Sequence, residues 1–150
     1  MRAQDAAGCV ILDGHGQALL VHQTYGEQLW EVPGGVVAHG ESAWEAAVRE
    51  CREEIGVTPL DPELTGIYFR PASDSYVFIF RVTRFTGSLA PDGVEVDAVD
   101  WFPVDDLPWP VTSFAQQRLR DAADRQGGIH LRTERLEDRR LLGGEQPERP

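Results

Sequence analysis

Residues 42–56, SAWEAAVRECREEIG, space their apolar side chains as an α-helix does, whereas the apolar runs on either side are short and extended. Ser42 followed by Glu45 is the signature of a capping box, and Gly56 supplies a helix stop. This pattern predicts a helix over residues 42–55. The apolar face of that helix, which we expect to lie in the core, consists of Trp44, Ala47, Val48, Cys51 and Ile55.

The segments around this helix are predicted to be strands, because they are rich in branched and aromatic residues and are bounded by turn residues. The predicted strands cover residues 6–12, 18–23, 30–32, 64–69, 76–83 and 94–102. The first two are expected to pair as a β-hairpin through the turn DGHGQ, and the third is expected to end at Pro33-Gly34-Gly35, where no helix or strand continues easily. With a second helix predicted over residues 112–125, the order of elements indicates a mixed α/β sandwich.

The length of 150 residues suits one ordinary domain, and 41% hydrophobic with 26% charged residues is a globular composition. We assign the domain to residues 1–127, because residues 128–150 form a charged C-terminal tail. Three arrangements of the tail stay open: it folds onto the domain, it pairs with a second subunit in a homodimer, or it has no fixed structure. The last few residues are expected to be disordered.

The overall charge and hydropathy limit the partners of the chain. A formal net charge of -11 at pH 7 repels a phosphate backbone, so we expect no nucleic-acid partner. No apolar run has the length of a membrane span and the N-terminus lacks the pattern of a secretory signal, so we expect no membrane partner and a cytoplasmic location. The two cysteines, Cys9 and Cys51, are predicted to be free thiols, which suits a reducing compartment.

Three glutamates share one face of the predicted helix. Glu50, Glu53 and Glu54 stand at positions i, i+3 and i+4, well away from the apolar face, and like charges so placed repel one another. A solvated charged face is the simpler interpretation for the helix alone. The preceding Gly34 and Gly35, however, allow a backbone carbonyl to approach an ion, and a hard cation such as Mg²⁺ takes oxygen ligands of these kinds.

Residues 35–57, GVVAHGESAWEAAVRECREEIGV, resemble the Nudix box, the signature of the Nudix hydrolase family. The positions that match the motif are Gly35, Glu41, Arg49, Glu50, Glu53, Glu54, Gly56 and Val57. Cys51 stands where the family usually has a larger aliphatic residue, and a small buried thiol packs similarly. The resemblance implies a Nudix-type α/β/α sandwich around a mixed β-sheet.

The same resemblance implies the chemistry, which is that of a metal-dependent pyrophosphohydrolase. Such an enzyme cleaves the diphosphate linkage of a nucleoside diphosphate joined to another group, here a nucleoside triphosphate, ADP-ribose or a nucleotide sugar. By the resemblance, the Gly35 carbonyl with Glu50, Glu53 and Glu54 would hold Mg²⁺ or Mn²⁺. The alternative function is a non-catalytic Nudix-like module that senses a nucleotide.

The resemblance leaves the general base open between two carboxylates, because family members differ in this residue. Glu53 on the helix is one candidate, and Glu95 on the last predicted strand is the other. Arg49 is expected to be structural and to pair with Glu41 or with Glu45.

Candidate contacts with the substrate come from the middle of the chain. Arg70 is a candidate for a phosphate contact, and Phe69 and Tyr76 are candidates for stacking on a base. Aromatic residues in strands more often serve packing, so both aromatic roles compete with a place in the core.

Overall fold

The structure is a computed structural model that describes residues 2–144 of the chain. Within this range, two helices and twelve strands alternate irregularly along the sequence. The helices are α1 (Ala43–Ile55) and α2 (Ser113–Ala123). The strands are β1 (Ala6–Ile11), β2 (Gln17–Gln23), β3 (Trp30–Glu31), β4 (Gly34–Val36), β5 (Val57–Leu60), β6 (Glu63–Arg70), β7 (Ser75–Val82), β8 (Arg84–Gly87), β9 (Val96–Pro103), β10 (Val111–Thr112), β11 (His130–Thr133) and β12 (Leu141–Leu142).

The central sheet is mixed, with five strands in the order β11-β6-β7-β1-β4. Strand β1 runs parallel to β7, and β11 runs parallel to β6, whereas the other two pairings are antiparallel. A second, antiparallel sheet has the order β3-β2-β9. This architecture confirms the predicted α/β class with a mixed sheet.

Strand β1 explains why the helices lie on opposite faces of the central sheet, because its side chains alternate between two cores. Cys9 and Ile11 are buried with the apolar face of α1, which includes Cys51. Val10 is buried in the other core with Leu119 of α2. Such two-sided burial makes β1 a nearly continuous apolar run and places it at the centre of the domain.

Helix α1 begins and ends where the sequence predicts. The Ser42 side chain accepts a hydrogen bond from the Glu45 backbone N–H, Glu45 reaches back to the Ser42 N–H, and Gly56 ends the helix in the left-handed region with φ 76°. The expected core position of Trp44 is wrong, because 59% of this residue is exposed. Cys9 and Cys51 are both buried free thiols, as predicted.

The predicted hairpin of the first two strands is wrong. Leu12 and Ala18 form a single bridge, after which β1 and β2 separate into different sheets. Strand β1 finds its long partner in β7, and β2 finds its own in β9. Local turn signals do not reveal such distant pairings, which bury more apolar surface than a two-stranded hairpin does.

The glycine-rich segment adds a strand that was not predicted, and the last predicted strand is corrected. Strand β3 ends before Pro33, as expected, and Gly34 and Gly35 then start β4, which pairs antiparallel with β1. The predicted strand over residues 94–102 begins two residues later, at Val96, so Glu95 lies in the loop before β9.

Residues 130–142 of the charged tail pack on the rest of the chain. Strand β11 extends the central sheet beside β6, and β12 pairs with β10 next to the start of α2. The Arg132 side chain donates two hydrogen bonds to the buried Asp121 of α2, at 2.7 and 2.8 Å. The expected disorder of the last few residues concerns positions outside the described range.

In residues 2–144, no helix combines the length and the apolar character that crossing a membrane requires.

Candidate active site

Helix α1 directs Glu50 and Glu54 toward the start of β4. The two residues are one helical turn apart, and only 7% and 5% of their surface is exposed. The Gly34 backbone N–H donates a hydrogen bond of 3.3 Å to Glu54 Oε2. The glutamates of the helix therefore divide, because these two lie against the sheet whereas the Glu53 side chain is 58% exposed.

Gly35 lies in close contact with the carboxylate of Glu50. A Cβ atom at this position would lie 2.5 Å from Glu50 Oε1, which is closer than real contacts allow. The bare backbone of β4 thus comes directly against a carboxylate. This close approach keeps one side of the carboxylate free of hydrocarbon.

Glu95 completes a group of three carboxylates. Carboxylate oxygens of Glu50, Glu54 and Glu95 lie within 4.8 Å of one another. We call these three residues the carboxylate cluster. Because the third member comes from a loop distant in sequence, the helical spacing of the glutamates does not reveal it.

The loop that carries Glu95 is fixed by Asp92. The backbone N–H groups of Val94, Glu95 and Val96 all donate to Asp92 Oδ1, at 2.9, 3.1 and 3.0 Å. The Asp92 N–H in turn donates to the Glu54 carbonyl at 2.9 Å. Burial opposes ionisation of Asp92, but the three hydrogen bonds hold its pKa below the ordinary value. The loop is therefore tied to the end of α1 and presents Glu95 to the cluster.

The electrostatics of the cluster favour a bound cation. Burial, followed by the charge of Glu50, raises the pKa of Glu54 from 4.5 to about 9. Burial also raises the pKa of Glu50, although Arg49 opposes this shift. Three neighbouring carboxylates of which two are disfavoured as anions form an oxygen donor set that fits a hard divalent cation such as Mg²⁺ or Mn²⁺.

Arg49 organises the segment before the helix, and it contacts Glu41 and not Glu45. The guanidinium donates to both Glu41 oxygens at 2.8 and 3.0 Å, to the Val36 carbonyl at 3.1 Å and to Glu50 Oε1 at 3.0 Å. It also donates to Glu53 Oε2 at 3.1 Å. Glu53 is thus held beside Arg49 at the surface, and the structure does not bring it into the carboxylate cluster.

A cleft of about 200 Å³ opens beside the cluster. Gly34 and Gly35, which contact Glu54 and Glu50, line it together with Tyr25. Burial raises the pKa of Tyr25, and the charges of Glu54 and of other nearby glutamates raise it further. The cleft therefore adjoins the cluster through the two glycines.

The three predicted substrate contacts are divided between two surfaces. Arg70 lines the cleft, where it donates to Ser75 Oγ at 3.0 Å and to the Gln4 carbonyl at 3.3 Å. Phe69 and Tyr76 stack on each other, with ring centroids 5.1 Å apart, in a separate groove beside β11. The structure brings Arg70 to the cleft and leaves the two aromatic residues outside it.

Sequence reasoning missed three charged residues at the cleft. Glu31 and Arg118 line the cleft, and Glu134 binds Arg118 with two hydrogen bonds. Each comes from a different part of the chain, so no spacing connects them. The only local signal is that Glu31 stands shortly before Gly34 and Gly35.

A family model for the NUDIX domain matches residues 2–122 of the chain. The chain belongs to the Nudix family. This membership confirms the predicted enzyme class, a Nudix pyrophosphohydrolase, and members of this family generally use divalent metals. The match ends before β11, so the family model does not include Glu134.

The matches between this chain and two related Nudix proteins cover different shares of the relatives. A protein of Bacillus subtilis (strain 168), named as a candidate 8-oxo-dGTP diphosphatase, is 32% identical over 112 residues, which are 75% of each chain. A nucleoside triphosphate pyrophosphatase/Nudix hydrolase fusion protein of Bifidobacterium longum (strain NCC 2705) is 38% identical over 82 residues. That match covers 53% of this chain and only 17% of the fusion protein.

The crystal structure of a Nudix hydrolase from Nitrosomonas europaea has the same fold. It superposes with a TM-score of 0.78 at 21% sequence identity and covers 90% of this chain and 80% of that one. At this level of identity the similarity concerns the fold alone.

Proposed function

We propose that this Nudix protein is a divalent-metal-dependent hydrolase of small nucleotide derivatives, which cleaves a diphosphate linkage. The observation that carries the proposal is the carboxylate cluster, whose oxygens lie within 4.8 Å of one another at the edge of the cleft. Glu50 and Glu54 are buried and Glu95 is exposed, and like charges held so close together are costly without a cation, so the cluster favours a chemical role over a stabilising one.

The cation would be held by Glu50, Glu54 and Glu95, with backbone oxygen from the segment of Gly35. When bound, a divalent metal neutralises charge on a diphosphate and lowers the pKa of water. The residues of the chain supply the positioning. Arg49 holds Glu50 by one oxygen, Asp92 holds the loop of Glu95, and the glycines admit the diphosphate to the cluster.

The reaction consumes one water molecule. The water oxygen bonds to one phosphorus, the bond from that phosphorus to the bridging oxygen breaks, and a carboxylate takes the proton of the water. Glu53 and Glu95 are the two candidate bases. Membership of the cluster supports Glu95, whereas the hydrogen bond of Glu53 to Arg49 and its exposure support a role at the surface.

The nature of the substrate is supported by the cleft and by the relatives. A cleft of about 200 Å³ is smaller than the roughly 300–1,000 Å³ of typical ligand sites, so it suits one part of a nucleotide, with the phosphates outside at the cluster. The name of the Bacillus subtilis relative refers to a nucleoside triphosphate, which makes this class the first to test.

The test is a screen for released phosphate, with auxiliary phosphatases, against nucleoside triphosphates, 8-oxo-dGTP, ADP-ribose and nucleotide sugars. Each substrate is assayed with Mg²⁺, with Mn²⁺ and with EDTA. We expect turnover that EDTA abolishes. Glu54→Gln should reduce kcat/KM on the order of 10³-fold, because a ligand of the cation is lost.

The matched control is Glu63→Gln, which changes the same group in an exposed ion pair with Arg81, far from the cleft, and should leave the rate unchanged. Turnover that persists in EDTA, or a fully active Glu54→Gln variant, would contradict the proposal. Nucleotide binding without turnover on the whole panel would instead indicate the sensing module.

A further inference from the structure

The lining of the cleft contains a charged pair that the proposed hydrolysis does not use. Glu31 follows Trp30 on β3, and Arg118 lies in the middle of α2. Their side chains are 20% and 12% exposed, and both line the cleft. We call Glu31 and Arg118 the cleft floor.

Arg118 is held rigidly on one side. Its Nε and Nη2 atoms donate to the two oxygens of Glu134 at 3.0 and 2.5 Å, a bidentate arrangement that fixes the plane of the guanidinium. The guanidinium carbon also lies 5.6 Å from the centre of the Tyr68 ring. The remaining nitrogen, Nη1, is 3.9 Å from Glu31 Oε1, which is too far for a hydrogen bond.

Glu31 has one committed oxygen and one free oxygen. Its Oε1 accepts a hydrogen bond of 2.9 Å from the Val32 backbone N–H. Its Oε2 accepts no hydrogen bond from residues 2–144. In this range, His130 Nε2 is the one fully buried side-chain polar atom without a partner. Glu31 Oε2 and Arg118 Nη1 are therefore both accessible to solvent. The cleft floor thus offers a free donor beside a carboxylate with free acceptor capacity.

The order of donor and acceptors on the floor selects among the nucleobases. Guanine presents on its Watson–Crick edge one acceptor, O6, followed by two donor groups, N1–H and the 2-amino group. Of the common bases, guanine alone places two donor groups side by side on that edge. A carboxylate accepts from both at once, and an adjacent arginine donates to O6. Adenine, with one donor group and one acceptor, leaves part of the carboxylate unpaired, which is costly in a buried site.

We propose that Glu31 and Arg118 bind the Watson–Crick edge of guanine and thereby set the base preference of the enzyme. This inference rests on the proposed function, which places the phosphates at the carboxylate cluster. Guanine and 8-oxoguanine share this edge, so the cleft floor accepts both. Any discrimination between these two bases comes from other contacts.

Glu134 acts in this scheme as a positioning residue. It is 6% exposed, it follows β11, and its backbone N–H donates to the Phe69 carbonyl at 2.7 Å. Glu134 occupies two of the donor atoms of Arg118 and leaves the third nitrogen, Nη1, near Glu31. The C-terminal segment, beyond the part that the family model matches, therefore contributes to base selection.

The experiment measures binding of nucleoside monophosphates by calorimetry in EDTA, so that it needs neither metal nor turnover. The ligands are dGMP, 8-oxo-dGMP, dAMP and dIMP, whose base lacks the 2-amino group. We expect dGMP to bind about tenfold more tightly than dIMP or dAMP. Glu31→Gln should reduce this preference to about twofold or less, because an amide presents only one acceptor oxygen.

Two further variants separate recognition from folding. Glu134→Gln weakens the hold on Arg118, so it should reduce the ratio of dGMP to dIMP affinity, whereas simple destabilisation would weaken both ligands equally. Glu63→Gln should leave the ratio unchanged. Thermal melting of each variant shows whether it is folded.

Each result decides the inference independently of the hydrolysis assay. Equal binding of dGMP, dIMP and dAMP, no binding of dGMP, or an unchanged ratio in Glu31→Gln would overturn it. An effect of Glu31→Gln on 8-oxo-dGMP alone would also overturn it, since the floor would then read another edge. An enzyme active in the metal screen with no base preference would leave the proposed function intact and remove the role of the cleft floor.

Discussion

The carboxylate cluster and the cleft floor hold charge in different ways. In the cluster, Glu50, Glu54 and Glu95 converge, and the only arginine that contacts it, among the residues described, binds one oxygen of Glu50. At the cleft floor, Arg118 lies between Glu31 and Glu134 and binds Glu134 with two hydrogen bonds. The carboxylates of the cluster thus share one hydrogen bond from an arginine, whereas each carboxylate at the floor has Arg118 beside it.

This difference distinguishes two kinds of polar site. A crowd of carboxylates in a fold is relieved either by protonation, as the raised pKa of Glu54 indicates without metal, or by an external ion of opposite sign, so the carboxylate cluster is suited to a cation. A compensated pair with spare hydrogen-bonding atoms attracts no ion strongly and is suited to a neutral, directional partner such as a base. The carboxylate cluster is thus suited to hydrolysis, and the cleft floor is suited to binding a base.

The largest expected effect concerns the general base, for which Glu95 and Glu53 are the candidates. Glu95→Gln should reduce kcat by roughly 10²–10⁴-fold, because the amide cannot accept the proton of water and also weakens the cluster. Glu53→Gln should have a smaller effect, since the Glu53 carboxylate contacts Arg49 at the surface. Steady-state kinetics of the two variants, with circular dichroism as the folding control, decide between them. A larger loss in Glu53→Gln would identify Glu53 as the base.

The second prediction contrasts the cleft floor with the carboxylate cluster by removing one ionisable group from each. Arg118→Met should lower the free energy of unfolding by about 3–5 kcal/mol, because Glu31 and Glu134 lose their partner in a buried site. Glu54→Gln should raise the free energy of unfolding of the metal-free protein at neutral pH, because it removes a carboxyl group whose ionisation the fold disfavours. Urea unfolding in EDTA measures both. If the free energy of unfolding changed with the same sign in both variants, the contrast between the cleft floor and the carboxylate cluster would be wrong.

The third prediction concerns the pH dependence of stability without metal. The pKa of Glu54 is about 9 in the folded protein against an ordinary value of 4.5, so between these values the folded state binds more protons than the unfolded state. The resulting stabilisation is present below pH 4.5 and is lost as the pH rises to about 9. We therefore expect the Tm in EDTA to fall between pH 5 and pH 9, and to fall less in Glu54→Gln. An equal fall in the variant would assign it to other groups.

Helix α1 was predictable because its signals are local. The capping pair Ser42 and Glu45, the stop at Gly56 and the spacing of Glu50 and Glu54 all lie within one segment. Trp44 shows the limit of this reasoning, because periodicity gives the direction of a side chain but not whether another element covers it. With 59% of Trp44 exposed, nothing in the described structure covers this position fully.

The rest of the site depends on contacts between distant parts of the chain. Glu95 reaches the cluster through the loop of Asp92, and the pairing of β2 with β9 brings that loop beside the glycines. Glu31, Arg118 and Glu134 meet only when β11 is added to the central sheet. No sequence spacing encodes these contacts, so the pattern within single segments reveals the helix that carries Glu50 and Glu54 but not the cleft floor.

The parallel pairing of β11 with β6 also has a consequence for biosynthesis. A chain leaving the ribosome has exposed every residue of the carboxylate cluster once Glu95 has emerged, but the partner of Arg118 follows only with Glu134. Because a domain generally folds as one unit, emergence of Glu95 alone does not yet give a folded cluster. The last strand of the central sheet to be synthesised is thus needed before either the carboxylate cluster or the cleft floor takes its final form.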